Sequence, residues 1–330
     1  MIITKTPFRV SFVGGGSDLP DFYRAHGGQV VSTTINKYVY VTVNRLSDCF
    51  DCNYLLKYSK TEKCVDLDDI KHPIIREVLR RFNVKDKLEI TSMADLPAGT
   101  GLGSSSSFTV GLLNALYAYH GKFVLKEQLA REACEIEIDI LKEPIGKQDQ
   151  YAAAYGGFNT IHFDTDDSVR VSPVVCTPKS LSLLRNSLLL FYTRMTRKAS
   201  DVLSDQKLRT QKSQETRSSL SSMVSQCNKF LDALSENVMS IGTLLHNSWM
   251  SKKSLSPYIT SKEIDDIYSS AIDAGASGGK LLGAGGGGCI LLFVDQNSQD
   301  QVRRSLLPYR LVEVVFEFEN EGSQVIFASH

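Results

Sequence analysis

Leu96-Pro-Ala-Gly-Thr-Gly-Leu-Gly-Ser-Ser-Ser-Ser107 is the stretch on which the reading of this chain turns. Gly99, Gly101 and Gly103 stand at alternate positions, where a backbone without Cβ atoms can turn tightly and come close to a ligand. The serines then open an apolar-periodic helix. Phe108, Leu112, Ala115, Leu116 and Tyr119 fall on one face, and Gly121 ends the pattern. Free amides in the first turn and the positive end of the helix dipole make an anion site, and phosphate is the usual anion.

Two familiar phosphate loops are excluded. A Walker A loop carries a lysine just before the Ser/Thr at the helix start, where Gly103 and Ser104 stand here. The dinucleotide fingerprint requires a third glycine at the position of Ser104. What remains is a lysine-free loop with serine hydroxyls available to Mg²⁺. A Gly/Ser linker would not join a strand-like run, Leu88 to Ser92, to an amphipathic helix.

Composition narrows the class. The chain has 330 residues, 42% hydrophobic and 22% charged, enough for two domains with real cores. Its 37 basic and 37 acidic residues cancel, which gives no general steering toward nucleic acid or membranes. No apolar run approaches the ~20 residues of a membrane helix, and Thr4–Arg9 runs straight into a strand-like pattern without a secretory signal. Seven cysteines, an odd number scattered along the chain, fit a reducing compartment, so a cytoplasmic protein is expected. Cys49 and Cys52, with Cys64 beyond, read as ordinary thiols rather than metal ligands.

The first half alternates strands, glycine turns and helices. Val10–Val13, Gln29–Thr33, Tyr38–Asn44 and Phe158–Phe163 read as strands. Ile74–Phe82 and Lys126–Leu141 read as helices. A polar, proline-bearing stretch near Ser172–Ser180 is the boundary, dividing a domain 1–178 from a domain 179–330. Beyond it come a strand, Ser187–Thr193, and a Ser/Gln/Lys-rich segment, 204–222, expected as an exposed helical excursion or mobile lid. Helices follow near 223–233, 238–249 and 262–274. The end reads strand (Cys289–Val294), helix (Ser298–Leu306) and strand (Leu311–Phe318), an α+β arrangement.

Two more glycine clusters flank the central one. Lys280-Leu-Leu-Gly-Ala-Gly-Gly-Gly-Gly-Cys289 satisfies G-x-G-x-x-G, but a strand and not a helix follows it, which excludes a dinucleotide fold. Its excess of small residues points to close approach to a ligand or to the phosphate loop. Arg9-Val-Ser-Phe-Val-Gly-Gly-Gly-Ser-Asp18 places an arginine at a strand start and an aspartate after a tight turn. Asp18 reads either as a cap for a helix near Pro20 or as a contact to a substrate hydroxyl.

These clusters, in this order and spacing, resemble the GHMP kinase superfamily over nearly the whole chain. Thr6–Pro20 and Glu143–Gly157 are similar to its sugar 1-kinase branch. The resemblance implies the two-domain GHMP fold, with an N-terminal ribosomal-protein-S5-like domain and a C-terminal ferredoxin-like domain. It implies ATP and Mg²⁺ as cofactor and cation, and a sugar-phosphate substrate, D-glycero-D-manno-heptose 7-phosphate, phosphorylated at the anomeric hydroxyl. An unphosphorylated sugar such as fucose is the alternative, and a non-catalytic ATP- and sugar-sensing relative the contrasting class. A homodimer is left open. By resemblance, Pro97, Gly99, Thr100, Gly101, Leu102, Gly103, Ser104, Ser105 and Ser106 bind ATP, and Ser105 and Glu137 ligate the metal. Asp149 accepts the hydroxyl proton, and Arg9 balances developing charge beside it. Substrate contacts are expected from Gly15, Gly16, Ser17, Asp18, Gly285 and Gly286. The cations Arg194, Arg197 and Lys198, with Arg197 and Lys198 foremost, are expected to clamp a second phosphate.

Overall fold

The computed structural model describes residues 1–195 and 199–329. The first half runs β1 (Ile2–Val13), α1 (Pro20–His26), β2 (Gly28–Arg45), β3 (Tyr54–Lys57), β4 (Thr61–Cys64), α2 (Pro73–Arg81) and β5 (Leu88–Ala94). It continues with α3 (Ser104–Tyr119), α4 (Lys126–Cys134), α5 (Gln148–Tyr155), β6 (Phe158–Phe163) and β7 (Val169–Pro173). The second half holds α6 (Pro178–Asn186), β8 (Leu188–Tyr192), α7 (Ala199–Lys212), α8 (Gln214–Glu236), α9 (Ile241–Ser254) and α10 (Lys262–Asp273). Then come β9 (Ala276–Leu281), β10 (Cys289–Val294), α11 (Gln299–Leu306), β11 (Val312–Glu313), β12 (Phe318–Glu319) and β13 (Gln324–Ala328).

Strand β2 organises the first sheet. The two β-rich runs read from the sequence are one strand. It pairs antiparallel with β1 from Ile2↔Val43 to Val13↔Val31, and the register shift between Pro7 and Phe8 leaves a bulge opposite. Its other edge takes β5 and then β6. The second sheet runs β11-β8-β10-β9, all neighbours antiparallel. The terminal run Leu311–Phe318 is not one strand. Only Val312–Glu313 pairs with β8, and β12 crosses to β2. Strand β13 adds to the free edge of β1, so the last strands belong to the sheet begun by the first.

Three helical segments depart from their sequence signals. Helix α3 was expected to be amphipathic, yet every residue from Ser106 to Leu116 is buried. It runs between the β1–β2 face and helices α2, α4 and α5, so no side of it meets solvent along this length. The helix expected over 126–141 is α-helical to Cys134 and then widens to a π-helical turn over Glu135–Ile140, a form that recurs at functional sites. The polar segment 204–222 is helical and largely exposed, as expected, but one face of it packs against the body of the molecule. Val202, Gln206, Thr210, Thr216 and Leu220 of α7 and α8 are buried. Helix α7 is also tied down from both sides: Gln211 Nε2 donates to Asp21 Oδ1 at 2.6 Å, and Ser256 Oγ to Asp205 Oδ2 at 2.6 Å.

Candidate active site

The phosphate loop is built as its glycines demand. Gly99, Gly101 and Gly103 have φ of +78°, +76° and +81°, which L side chains rarely adopt. Gly103 is the N-cap of α3, and the first amide to bond back is Ser107 N, to Gly103 O at 2.9 Å. The amides of Ser104, Ser105 and Ser106 are thereby left for a ligand. Ala98, Gly99, Gly101, Gly103 and these serines line a cleft between the two halves of the molecule. Pro97 is exposed beside it, and Thr100 and Leu102 are buried in the loop's support.

The glycine turn between β9 and β10 docks on this loop from the second half. Cys289 N donates to Thr100 O at 2.8 Å. A Cβ at Gly101 would fall 2.5 Å from Leu282 O, and one at Gly283 would fall 2.5 Å from Gly101 Cα. Gly283 and Ala284 reach the cleft. Gly285 and Gly286 do not line it. Gly286 N bonds Ile259 O at 2.8 Å, and a Cβ at Gly285 would meet the Ile259 backbone at 2.9 Å.

Arg9 and Asp149 meet at the mouth of the loop. Arg9 donates from Nε to Asp149 Oδ1 at 2.8 Å, with Nη2 2.7 Å from the same oxygen. Its Nη1 holds Gly101 O at 2.7 Å. One guanidinium thus joins strand β1, the phosphate loop and the first turn of α5. Asp149 Oδ2 lies beside Gly103, 3.4 Å from where a Cβ would sit.

Asp18 is no helix cap; α1 has no side-chain cap at its start. Its Oδ1 accepts from Gly16 N (2.9 Å) and Gln148 Nε2 (3.0 Å), and its Oδ2 from Gln148 N (3.2 Å). Burial, and then the neighbouring Asp149, push its carboxyl above the ordinary range. Gly15, Gly16 and Asp18 line the cleft. Ser17 turns away from it. Its Oγ donates to Gln29 O and accepts from Gln29 N, both at 3.0 Å.

Glu137 lies behind Ser105 in the widened π-helical turn. It is 1% exposed, accepts from Ser105 Oγ at 2.5 Å on Oε1, and accepts from Gln150 Nε2 at 2.7 Å on Oε2. Burial raises its pKa against the hydrogen bonds that lower it. A hydroxyl and a buried carboxylate converging at the loop are hard oxygen donors of the kind Mg²⁺ takes, and two protein ligands suffice for an ion that keeps waters and phosphates.

Sequence reasoning missed two lysines. Lys280, on β9, is 2% exposed, lines the cleft and donates to Phe12 O at 2.9 Å. Burial, with Arg9 adding, pushes its ammonium down to about 7. Lys252, on α9, holds Leu281 O at 3.0 Å and also Gly283 O. Burial and then Lys280 depress it as well. Lys280 stands inside an apolar run, which is a readable sign of burial. Lys252 sits in a Lys-Lys pair that reads as a solvated helix end. Gln148 and Gln206 were also missed as cleft residues. Arg194 is exposed with φ +60°, and Arg197 and Lys198 lie outside the described residues.

The comparisons with known proteins bear on this geometry. Residues 70–157 match the model of the GHMP kinases N-terminal domain, and residues 230–311 match that of the GHMP kinases C-terminal domain. A D-glycero-alpha-D-manno-heptose 7-phosphate kinase of Campylobacter jejuni is 31% identical over 333 residues, covering 97% of each chain. The chain belongs to the GHMP kinases. The bifunctional fucokinase/GDP-fucose pyrophosphorylase of Arabidopsis thaliana is 25% identical over 92% of this kinase and 31% of the relative. The crystal structure of a D-glycero-D-manno-heptose 1-phosphate kinase from Bacteroides thetaiotaomicron superposes with a TM-score of 0.81 at 24% identity, covering both chains completely, and so shares the fold. This GHMP kinase is a sugar kinase, a phosphotransferase with an alcohol group as acceptor. No described helix is long and apolar enough to cross a membrane.

Proposed function

We propose that this kinase transfers the γ-phosphoryl of ATP to the anomeric hydroxyl of D-glycero-D-manno-heptose 7-phosphate, releasing ADP and the 1,7-bisphosphate. The observation that carries the reading is Asp149 Oδ2, set beside Gly103 of the phosphate loop in the cleft that Asp18 also lines, while Arg9 occupies Oδ1. The choice of sugar is supported by similarity to the Campylobacter jejuni kinase along 97% of both chains.

The amides of residues 104–106 cradle the phosphates of ATP at the start of α3. Asp149 Oδ2 takes the proton of the sugar hydroxyl as its oxygen bonds to phosphorus and the bond to ADP breaks. Arg9 holds Asp149 in place and offsets charge on the loop side. Ser105 and Glu137 would hold Mg²⁺. When bound there, the ion neutralises charge on the β- and γ-phosphates. Asp18, held by three donors, accepts from a sugar hydroxyl. The 7-phosphate clamp is assigned to Arg197 and Lys198 on their charge alone.

The test is a panel of heptose 7-phosphate, the dephosphorylated heptose, fucose, galactose and mevalonate with ATP and Mg²⁺. Heptose 7-phosphate is expected to give the highest kcat/KM by at least tenfold. A higher value for fucose, or for the dephosphorylated heptose, removes the assignment.

A further inference from the structure

Three polar atoms of the cleft wall are buried with no hydrogen-bond partner among the described residues: Ser11 Oγ, Gln148 Oε1 and Gln206 Nε2. Ser11 is 4% exposed and Gln206 2% exposed, and all three residues line the cleft next to Asp18. They come from three separate elements, β1, the first turn of α5, and α7. Leaving a buried donor or acceptor unmade costs about 1–3 kcal/mol, so natural structures leave few. Three such atoms on one wall call for a ligand that completes them.

Their chemistry selects that ligand. Gln148 donates from Nε2 to the Asp18 carboxylate at 3.0 Å, which fixes the amide so that Oε1, an acceptor, is the unpaired end. An acceptor in the wall requires a donor in the ligand, which a phosphate dianion lacks and a hydroxyl has. Gln206 Nε2 is a donor and requires a ligand oxygen. Ser11 Oγ serves either role. A ligand with adjacent hydroxyls, each both donor and acceptor, meets all three demands, and in displacing any water from the wall it keeps these atoms paired. Gly16 is what lets Gln206 reach this wall: a Cβ there would sit 2.7 Å from Nε2.

We propose that Ser11 Oγ, Gln148 Oε1 and Gln206 Nε2 form a three-point hydroxyl-reading site that sets which polyol this kinase accepts. The proposal rests on the reading of this cleft as the acceptor-sugar subsite. It makes helix α7 a specificity element, since Gln206 comes from α7, and it gives Gln206 a role separate from phosphoryl transfer.

The test compares the parent with Gln206→Leu, Gln148→Leu and Ser11→Ala on the best sugar of the panel and its monodeoxy analogues. For the parent, removing the hydroxyl that Gln206 reads should cost tenfold or more in kcat/KM. Gln206→Leu should raise KM for the full sugar about tenfold, leave KM for ATP within twofold, and lose its discrimination against one deoxy analogue alone. Gln148→Leu should lose discrimination at a different position. Gln206→Met, which keeps the length without the donor, should behave as Gln206→Leu, and thermal melting of each variant separates recognition from folding. Equal losses on the full sugar and every deoxy analogue would overturn the site. If heptose 7-phosphate fails while another sugar turns over, the substrate assignment falls and the site is judged on that sugar. If the parent binds no polyhydroxylated ligand in calorimetry, the site falls as well.

Discussion

Arg9 places both Nε and Nη2 on a single oxygen of Asp149, Oδ1, at 2.8 and 2.7 Å, so Oδ2 is the oxygen turned to the phosphate loop. The division of labour between the two oxygens follows from the side chain's tilt. Oδ1 carries both Arg9 contacts, and in the proposed reaction Oδ2 is the oxygen left for a proton.

Asp149→Asn should therefore lower kcat by a factor of order 10²–10⁴. ATP affinity should stay within a few-fold, because the loop amides are untouched. The melting temperature should fall somewhat, since Arg9, with a side chain 4% exposed, loses its charge partner. Single-turnover kinetics and calorimetry check this, and a loss below about tenfold would leave Asp149 a positioning residue.

Ser105→Ala should weaken turnover more than nucleotide binding. It removes one hard oxygen and the 2.5 Å hydrogen bond to Glu137 while leaving the amide cradle intact. The deficit should shrink as Mg²⁺ is raised. Identical Mg²⁺ titrations for variant and parent would take Ser105 out of the cation site.

The glycine interlock gives a paired prediction. Gly121 has φ +64° with nothing within 4 Å of an added Cβ, so Gly121→Ala should cost only the left-handed strain, about 1–2 kcal/mol. Gly101→Ala carries similar strain and also drives a Cβ to 2.5 Å from Leu282 O. Its loss of stability should exceed that of Gly121→Ala, and ATP binding should weaken only there. Equal denaturation midpoints would mean that the two loops are not in contact in solution.

Lys280 gives a pH signature. Its folded pKa, about 7, lies below the unfolded value of 10.5, so the unfolded chain binds more protons between these values. Its contribution to stability therefore rises with pH from about 7 to 10.5 and is flat below 7. Lys280→Met should remove that rise. Denaturation at intervals from pH 6 to 10 should show the parent gaining on the variant, and parallel curves would refute it.

Chemistry that is local in sequence was legible. The alternate glycines Gly99, Gly101 and Gly103 gave the tight turn into α3 that the structure shows, and Arg9 and Asp149, named from the resemblance, lie in contact. What could not be read depends on which surfaces meet. No periodicity in α3 reveals that its polar positions Ser106, Thr109 and Asn114 are buried. Lys252 and Gln206 look solvated in sequence and become cleft residues only because α9 and α7 pack where they do. Gly285 and Gly286 share a cluster with Gly283, yet the turn carries them onto Ile259 and away from the cleft.

Strand β13 has a consequence for biogenesis. Met1 N bonds Ser329 O across 328 positions of sequence, and Ile2 lies opposite Ala328. A nascent chain leaving the ribosome thus carries β1 with an open edge until β13 has been translated. Such an edge invites pairing with other chains, and contacts this distant slow folding. Holding the edge apart during that interval is work suited to a chaperone.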